Sequence, residues 1–320
     1  MATVSILIPA KHAQYLARAL ISAQQQTFED VEILVGDSTP GGSLEALVNR
    51  IGDARVRYFH HAFQNDSDNA RQLWQRASGK YVKWLFDDDV LMPASVEVLL
   101  AALREHPESA LAFHGRVTID SNDQVIHVPP ALINDGERVL LDRAFLAEQM
   151  IARQHNFVGE PSNIMLNRER VDMTGLFDYR SVELHFLANV AMYLNLAERA
   201  PVVAVGGYLS AFRQHAAPAF GLPVPNVNAA IVEWEMLVRG EAASGHLTGD
   251  ALETAKQHLQ ALYAGHAGTA PAIGALLGNL GELTERPAHE LFDSPRFQSD
   301  LAGARTAFLS ATGTAPAFAF

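Results

Sequence analysis

The N-terminal third of the chain alternates short apolar runs with stretches in which apolar residues recur at helical spacing. Residues 4–10 (VSILIPA) form the first run and predict a strand closed by Pro9, after which Leu16, Ala19, Leu20 and Ala23 place a helix over 15–25. A second strand, 31–35 (VEILV), ends at Gly36 and Asp37, with loop chemistry over 38–42 and a helix over 43–51. The third strand, 56–60, leads to the polar loop NDSDN at 65–69 and a helix to about residue 77 that carries Arg71. The fourth apolar run, YVKWLF at 81–86, is followed at once by Asp87, Asp88 and Asp89. Strands alternating with helices at this spacing predict a largely parallel sheet with right-handed crossovers, so that the loops after all four strands reach one edge. Asp37, the Asn65 loop and the three consecutive carboxylates are expected to meet there.

Beyond Pro93 the pattern predicts a helix to about residue 105, a strand at 110–114 and a hairpin turning at 120–123, with Pro129 and Pro130 interrupting regular structure. A helix over 143–154, the loop NFVGEPS at 156–162 and a strand at 163–166 follow. Residues 183–197 read as a helix buried on most sides, and strands at 202–205 and 208–212 end at Arg213, Gln214 and His215. Composition then shifts: 216–227 is rich in Pro and Ala, and helices are predicted at 229–243, 250–264 and 272–283 with two weaker ones after them. This tail shows no chemistry of its own, and a helical cap or an oligomerisation surface is the expectation for it.

Three adjacent carboxylates at the carboxyl edge of a sheet repel one another unless a cation or a donor-rich ligand neutralises them. Hard oxygen donors of this kind suit Mg²⁺ or Mn²⁺ carrying a phosphate-bearing substrate. The competing reading is an acidic turn capping the helix that starts near Pro93. The net charge of −12, with 24 Lys and Arg, excludes a general nucleic-acid binder, so an anionic substrate has to be met by a metal or a few placed cations. The absence of cysteine excludes disulfides, thiolate metal sites and a Cys nucleophile. MATVSILIPAKH has no basic leader, and no run reaches the ~18 apolar residues of a membrane span. The expectation is a cytoplasmic protein whose membrane contact, where there is any, is peripheral.

The segments VSILIPAKHAQYLARALISAQQQTFEDVEILVGDST and NDSDNARQLWQRASGKYVKWLFDDD resemble family 2 glycosyltransferases, inverting enzymes of the GT-A fold that use nucleotide-diphosphate sugars. The likeness covers roughly residues 3–215. It implies a GT-A domain over 1–215, with a nucleotide-binding half to about 115 and an acceptor half over 116–215, followed by a helical C-terminal extension over 216–320. By that resemblance Pro9, Ala10 and Asp37 hold the nucleobase, Asn65, Arg71 and Gly79 occupy matching places with Arg71 meeting the nucleotide, and Asp87 holds the ribose. Asp88 takes the metal, with Asp89 beside it or behind it, and His215, which ends FRQH, completes the shell. Phe86 stands where many relatives have the first acid. The loop Gly159, Glu160, Pro161 and Ser162 looks like the family's acceptor-side loop.

The family's catalytic base lies at the start of the helix that reads here as ELHFLANVAMYLNLA, and two registers compete. Anchored on SVELHF, Glu183 is the base, with Asp178 in reserve; anchored on NVAMYLNLA, the position holds Asn189, which cannot accept a proton. The implied reaction is metal-assisted transfer of a sugar from a UDP or dTDP donor to a glycan, lipid-linked or protein acceptor hydroxyl, with inversion. Two other readings stand beside it. One is a nucleotide-sugar-binding protein that has lost catalysis. The other is a nucleotidyltransferase, which would want a glycine-rich basic loop where PAKHAQ stands.

Overall fold

Every residue of β1 (Val4–Ala10) is buried, as its unbroken apolar run requires of a strand covered on both faces. In the computed structural model, which describes residues 2–61, 66–214, 224–267 and 276–312, β1 lies in the middle of four parallel strands. Its neighbours are β2 (Val31–Asp37) and β4 (Tyr81–Trp84), and β3 (Val56–His60) flanks β2. The crossovers carry α1 (Ala13–Gln24), the short α2 (Glu45–Asn49) and α3 (Asp66–Arg76). Leu16, Ala19, Leu20 and Ala23 of α1 are fully buried, as their spacing predicts.

Beyond β4 the sheet becomes mixed. Its order is β3-β2-β1-β4-β9-β6-β12-β5, where β5 is Val90–Leu91, β6 Leu111–Ile119, β9 Ile164–Asn167 and β12 Val202–Arg213. The strand β9 runs antiparallel to both β4 and β6, while β12 is parallel to β6. Two edge strands complete the sheet: β7 (Val125–His127) on β6 and β8 (Arg138–Leu141) on β12. The helix α4 (Ser95–Glu105) begins two residues after Pro93. The two strands expected at 202–205 and 208–212 are one strand. Gly206 and Gly207, which separate the two expected strands, form an irregularity within β12, and Gly207 has φ 113°.

The chain divides into two units, the first comprising 1–141, 158–172 and 199–216, and the second 142–157, 173–198 and 217–320. Segments 142–157 and 173–198, which the sequence places in the acceptor half, fall in the same unit as the C-terminal residues. Buried ion pairs tie them there. Arg143, in α5 (Arg143–Leu146), is bidentate to Glu241 at 2.6 and 3.0 Å, and the Tyr179 hydroxyl donates to the same carboxylate at 2.7 Å. Glu241 lies in α7 (Val224–Ala243), which also contributes Arg239, paired with Glu235 at 2.7 Å and with Glu282 at 3.4 Å. The tail read from sequence as lacking chemistry therefore carries the second unit's buried charges. Among the described residues its remaining long helices are α8 (Gly249–Ala267) and Pro295–Thr312.

Two expected helices of the second unit are shorter than predicted. The one over 143–154 is α5 followed by a single π turn, Ala147–Ile151. The one over 183–197 begins only at Ala188, giving α6 (Ala188–Ala197). Residues before it form a hairpin of β10 (Asp178–Tyr179) and β11 (Val182–Glu183), turned by Arg180 and Ser181 at φ 48° and 66°. No helix among the described residues is long and apolar enough to cross a membrane.

Candidate active site

Strand register sets the site. Ala10 pairs with Asp37, and Asp37 with His60, so β1, β2 and β3 end level. Leu7 pairs with Trp84, which puts Asp87, three residues on, level with Ala10. The convergence predicted for Asp37 and Asp87 is what the parallel half of the sheet produces. Asn65 lies outside the described residues, and Arg71 is exposed on α3.

The Asp87 carboxylate reaches across to the loop after β1, where one oxygen accepts the backbone N–H of Lys11 at 2.7 Å and of His12 at 2.6 Å. These are amides just ahead of α1, so Asp87 places its charge at that helix's positive end. Burial raises its pKa, and the two N–H bonds oppose the rise.

Asp37 is fully buried and holds four donors. One oxygen accepts from the Thr39 N–H (2.7 Å) and hydroxyl (2.6 Å), the other from the Leu44 N–H (3.0 Å) and the Tyr58 hydroxyl (2.7 Å). Burial works to raise its pKa, yet these four bonds prevail and hold it below the usual carboxylate range. The Ala10 carbonyl accepts the Ser38 N–H at 3.0 Å, binding the first two loops together. Asn69, which sequence reasoning passed over, donates to the Gly36 carbonyl at 2.7 Å and meets the His61 ring at 2.9 Å. A side chain at position 36 would strike the Asn69 amide, which explains the glycine before Asp37.

Asp88 is half-buried and Asp89 is buried. Asp89 accepts the backbone N–H of Arg213 at 3.1 Å and the Ser162 hydroxyl. Burial, and then the Asp88 charge, push its pKa upward. Arg213 is the larger omission of the sequence reading. Its buried guanidinium donates to the carbonyls of Asp88 (2.9 Å) and Asp120 (2.7 Å) and to the Asp123 carboxylate (2.6 Å), and it lies 4.2 Å over the Tyr15 ring. The acid run is thereby fixed to the turn 120–123, which sequence alone marks only as a hairpin. Asp123 adopts φ 65° there and also pairs with Arg18 at 2.6 Å.

The expected acceptor-side loop braces the acid run from behind. Ser162 accepts the Phe86 N–H at 3.1 Å, and its carbonyl receives the buried Lys83 ammonium at 2.6 Å. Glu160 is paired with Arg116 at 2.5 Å, and Gly159, at φ 85°, leaves room for that guanidinium, which a Cβ would meet at 2.0 Å. Gly159, Pro161 and Ser162 are buried, and Glu160 alone of the four keeps partial exposure.

Among the described residues no three His, Asp or Glu side chains are grouped to hold a cation, and His215 lies outside them. With an Asp87 oxygen engaged by two amides and Asp89 turned to Ser162 and the Arg213 amide, Asp88 is the carboxylate nearest solvent. That donor set fits Mg²⁺ or Mn²⁺, which are held by one or two carboxylates and complete their shells with water and substrate phosphate.

The base candidates belong to the second unit. Glu183 is exposed in β11, and its carbonyl accepts from Arg305 at 2.6 Å; Asp178, half-buried, pairs with it across the hairpin. Asn189 sits in the first turn of α6, where its side-chain Oδ1 accepts the Val190 N–H at 2.9 Å. Glu233 of α7 was not anticipated. Its carboxylate accepts three consecutive N–H groups, His185 (2.6 Å), Phe186 (2.8 Å) and Leu187 (2.8 Å), and so caps α6 from a distant helix.

Residues 5–172, over half of the chain, match the sequence profile of Glycosyl transferase family 2. An uncharacterized glycosyltransferase of Rickettsia bellii is 30% identical over 132 residues, 40% of this chain and 19% of that protein. The Campylobacter jejuni GalNAc(5)-diNAcBac-PP-undecaprenol beta-1,3-glucosyltransferase is 30% identical over 110 residues, 33% of this chain and 36% of that one. The Escherichia coli UDP-Glc:alpha-D-GlcNAc-diphosphoundecaprenol beta-1,3-glucosyltransferase WfgD is 24% identical over 125 residues, 38% of this chain and 49% of that one. The matches thus span less than half the length of each of these relatives. Among solved structures, S. aureus TarS 1–349 in complex with UDP-GlcNAc superposes with a TM-score of 0.59 at 12% identity, covering 96% of this chain and 88% of that one, which shows the fold. With its four parallel N-terminal strands and the profile match over residues 5–172, the chain belongs to glycosyltransferase family 2 and has the GT-A fold.

Proposed function

We propose that the protein transfers a sugar from a UDP or dTDP donor to a hydroxyl of a lipid-linked glycan, with inversion. The observation that carries this reading is the meeting of Asp37, Asp87 and the loop after β1 at one sheet edge, with Asp88 beside them. The name of the Escherichia coli relative gives UDP-glucose as donor, and both it and the Campylobacter jejuni relative are named for undecaprenyl diphosphate glycan acceptors, which supports the choice of donor and acceptor.

In this reading Pro9, Ala10 and Asp37 face the base, Arg71 meets the nucleotide and Asp87 lies toward the ribose. A carboxylate offers about four acceptor positions, and all four on Asp37 are taken. The Tyr58 hydroxyl is the donor able to leave, because it also has the Gly42 carbonyl at 3.3 Å, and its departure would admit the imide N–H of uracil or thymine. Asp88 would hold Mg²⁺ or Mn²⁺ together with oxygens of the diphosphate, and the ion when bound supplies charge neutralisation for the leaving group. Glu183 takes the acceptor proton, with Asp178 in reserve.

A second reading, donor binding without turnover, is favoured by one observation: the helix starts at Ala188, so the residue in its first turn is Asn189. Thermal shift with UDP, dTDP and a purine nucleotide, with and without Mn²⁺, tests the donor assignment, because a ligand that binds the native state raises its stability. A Mn²⁺-dependent pyrimidine-nucleotide shift that Asp88→Ala abolishes is expected, and a shift that survives Asp88→Ala unchanged refutes the metal assignment.

A further inference from the structure

Six of the seven large hydrophobic side chains that stand exposed among the described residues fall in one stretch: Val125, Ile126, Val128, Leu132, Val139 and Leu140. Residues 125–133 read VIHVPPALI, without Asp, Glu, Lys or Arg. All three residues of β7 are exposed, so this strand presents aliphatic groups on both faces instead of alternating inward and outward.

The stretch is tied down. His127 pairs with Thr118 of β6, the Tyr208 hydroxyl donates to the Pro129 carbonyl, and the Glu137 carbonyl accepts the Gly206 N–H at 2.9 Å. It lies so close on β12 that a Cβ at Gly206 would be 1.8 Å from the Asn134 carbonyl oxygen. Backbone hydrogen bonds thus hold aliphatic side chains out in water, a local conflict of the kind that marks an interaction surface.

We infer that this strap is the surface by which the protein docks on a lipid bilayer. The inference rests on the proposed lipid-linked acceptor, which brings the enzyme to a membrane, and no helix among the described residues can cross one. The chemistry of the strap selects lipid over other occupants. Its continuous apolar part, residues 125–133, contains no Trp, Tyr or Arg, the residues that anchor protein interfaces. Pro129 and Pro130 lack the N–H groups that edge pairing with a second copy would use. The charges before and within the stretch are Asp120, Asp123, Asp135 and Glu137 against Arg138, and the whole chain has a charge of −12, so anionic headgroups do not attract it. Docking therefore proceeds by immersion of the aliphatic side chains, and it is indifferent to anionic lipid and to salt.

Co-sedimentation of the full chain with vesicles of phosphatidylcholine alone, and of phosphatidylcholine with phosphatidylglycerol, tests this at low and high salt. The wild type is expected to partition onto both vesicles equally at both salt concentrations. Ile126→Asp/Val128→Asp should reduce partitioning at least about tenfold while its UDP thermal shift stays that of the wild type. Wild-type protein that remains in the supernatant, a double variant that sediments like wild type, or binding confined to anionic vesicles at low salt overturns the inference. A wild-type dimer that the double variant splits, with no vesicle binding, overturns it in favour of a second copy as occupant. Transfer to a water-soluble short-chain acceptor analogue, assayed without vesicles, separates the two readings: its absence counts against the proposed reaction, whereas vesicle binding addresses the strap alone.

Discussion

Asp37→Asn replaces one oxygen of a fully buried carboxylate by an amide nitrogen, and the four donors around it predict the cost. In one orientation the new NH₂ faces the Leu44 N–H (3.0 Å) and the Tyr58 hydroxyl (2.7 Å); in the other it faces the Thr39 N–H (2.7 Å) and hydroxyl (2.6 Å). Either hydroxyl can turn and accept, but a backbone N–H cannot. Both orientations therefore leave one buried amide facing a donor, a penalty of about 1–3 kcal/mol, and the surviving bonds lose their charge assistance. The sum is about 2–4 kcal/mol. Urea unfolding followed by Trp74 and Trp84 fluorescence, in a Trp234→Phe background, should show a lower midpoint at unchanged slope. The acid limb offers an independent check. Because the folded pKa of Asp37 is lowered, its contribution is present above the unfolded value near 3.8 and is lost as pH falls through the lower folded value. The variant should lack that part of the acid destabilisation. Its affinity for UDP should also fall relative to wild type. An unchanged urea midpoint refutes the four-donor arrangement, whatever happens to UDP.

Three further outcomes are expected. Gly79→Ala puts a Cβ 2.7 Å from the Ser5 nitrogen and 2.9 Å from the Val4 carbonyl carbon, both backbone, and should lower stability by about 1–3 kcal/mol; an unaltered melting temperature contradicts it. Arg213→Lys keeps the charge but loses the fork that reaches Asp88, Asp120 and Asp123, and should cost about 1.5–3 kcal/mol and weaken Mn²⁺-dependent UDP binding; calorimetric titration giving wild-type affinity would refute its role in positioning the acid run. Glu183→Gln should slow turnover by about 10²- to 10⁴-fold with donor affinity nearly unchanged, and a silent Glu183→Gln together with a gain of activity in Asn189→Asp reassigns the base position.

The parallel half of the fold was legible because its strands are short, mostly apolar segments each ended by its own polar signal, and parallel pairing alone then carries Asp37 and Asp87 to one edge. The second half was less so. ELHFLANVAMYLNLA has a helical apolar pattern from its first residue, but Arg180 and Ser181 turn the chain back and pair Val182 and Glu183 with the strand before them. The helix starts only where Glu233, distant in sequence, supplies acceptors for the amides that precede it. The two strands expected on either side of Gly206 and Gly207 are likewise one, as β12 continues through them.

What the missed groups share is a charge set in an apolar run whose partner is far along the chain. Lys83 interrupts the strand YVKW and is fully buried, its ammonium on the Ser162 carbonyl; burial lowers its pKa, and the nearby Asp89 charge works against that. Glu233, Glu235, Arg239 and Glu241 interrupt α7 in the same way and are buried as well. A charge so placed is stable only if a counter-charge or hydrogen-bonding groups reach it, so its presence announces a long-range partner without naming it. Where the partners lie decides what such a charge is for. In the second unit Arg239 pairs with Glu235 and Glu282, and Glu241 with Arg143, so these charges serve packing. In the first unit Lys83 reaches Ser162, and through it Asp89 and the Phe86 amide, while Arg213 reaches Asp88. Arg213 thus ends on the acid run itself and Lys83 on the loop that braces it, so these buried groups serve to fix the acid run in place.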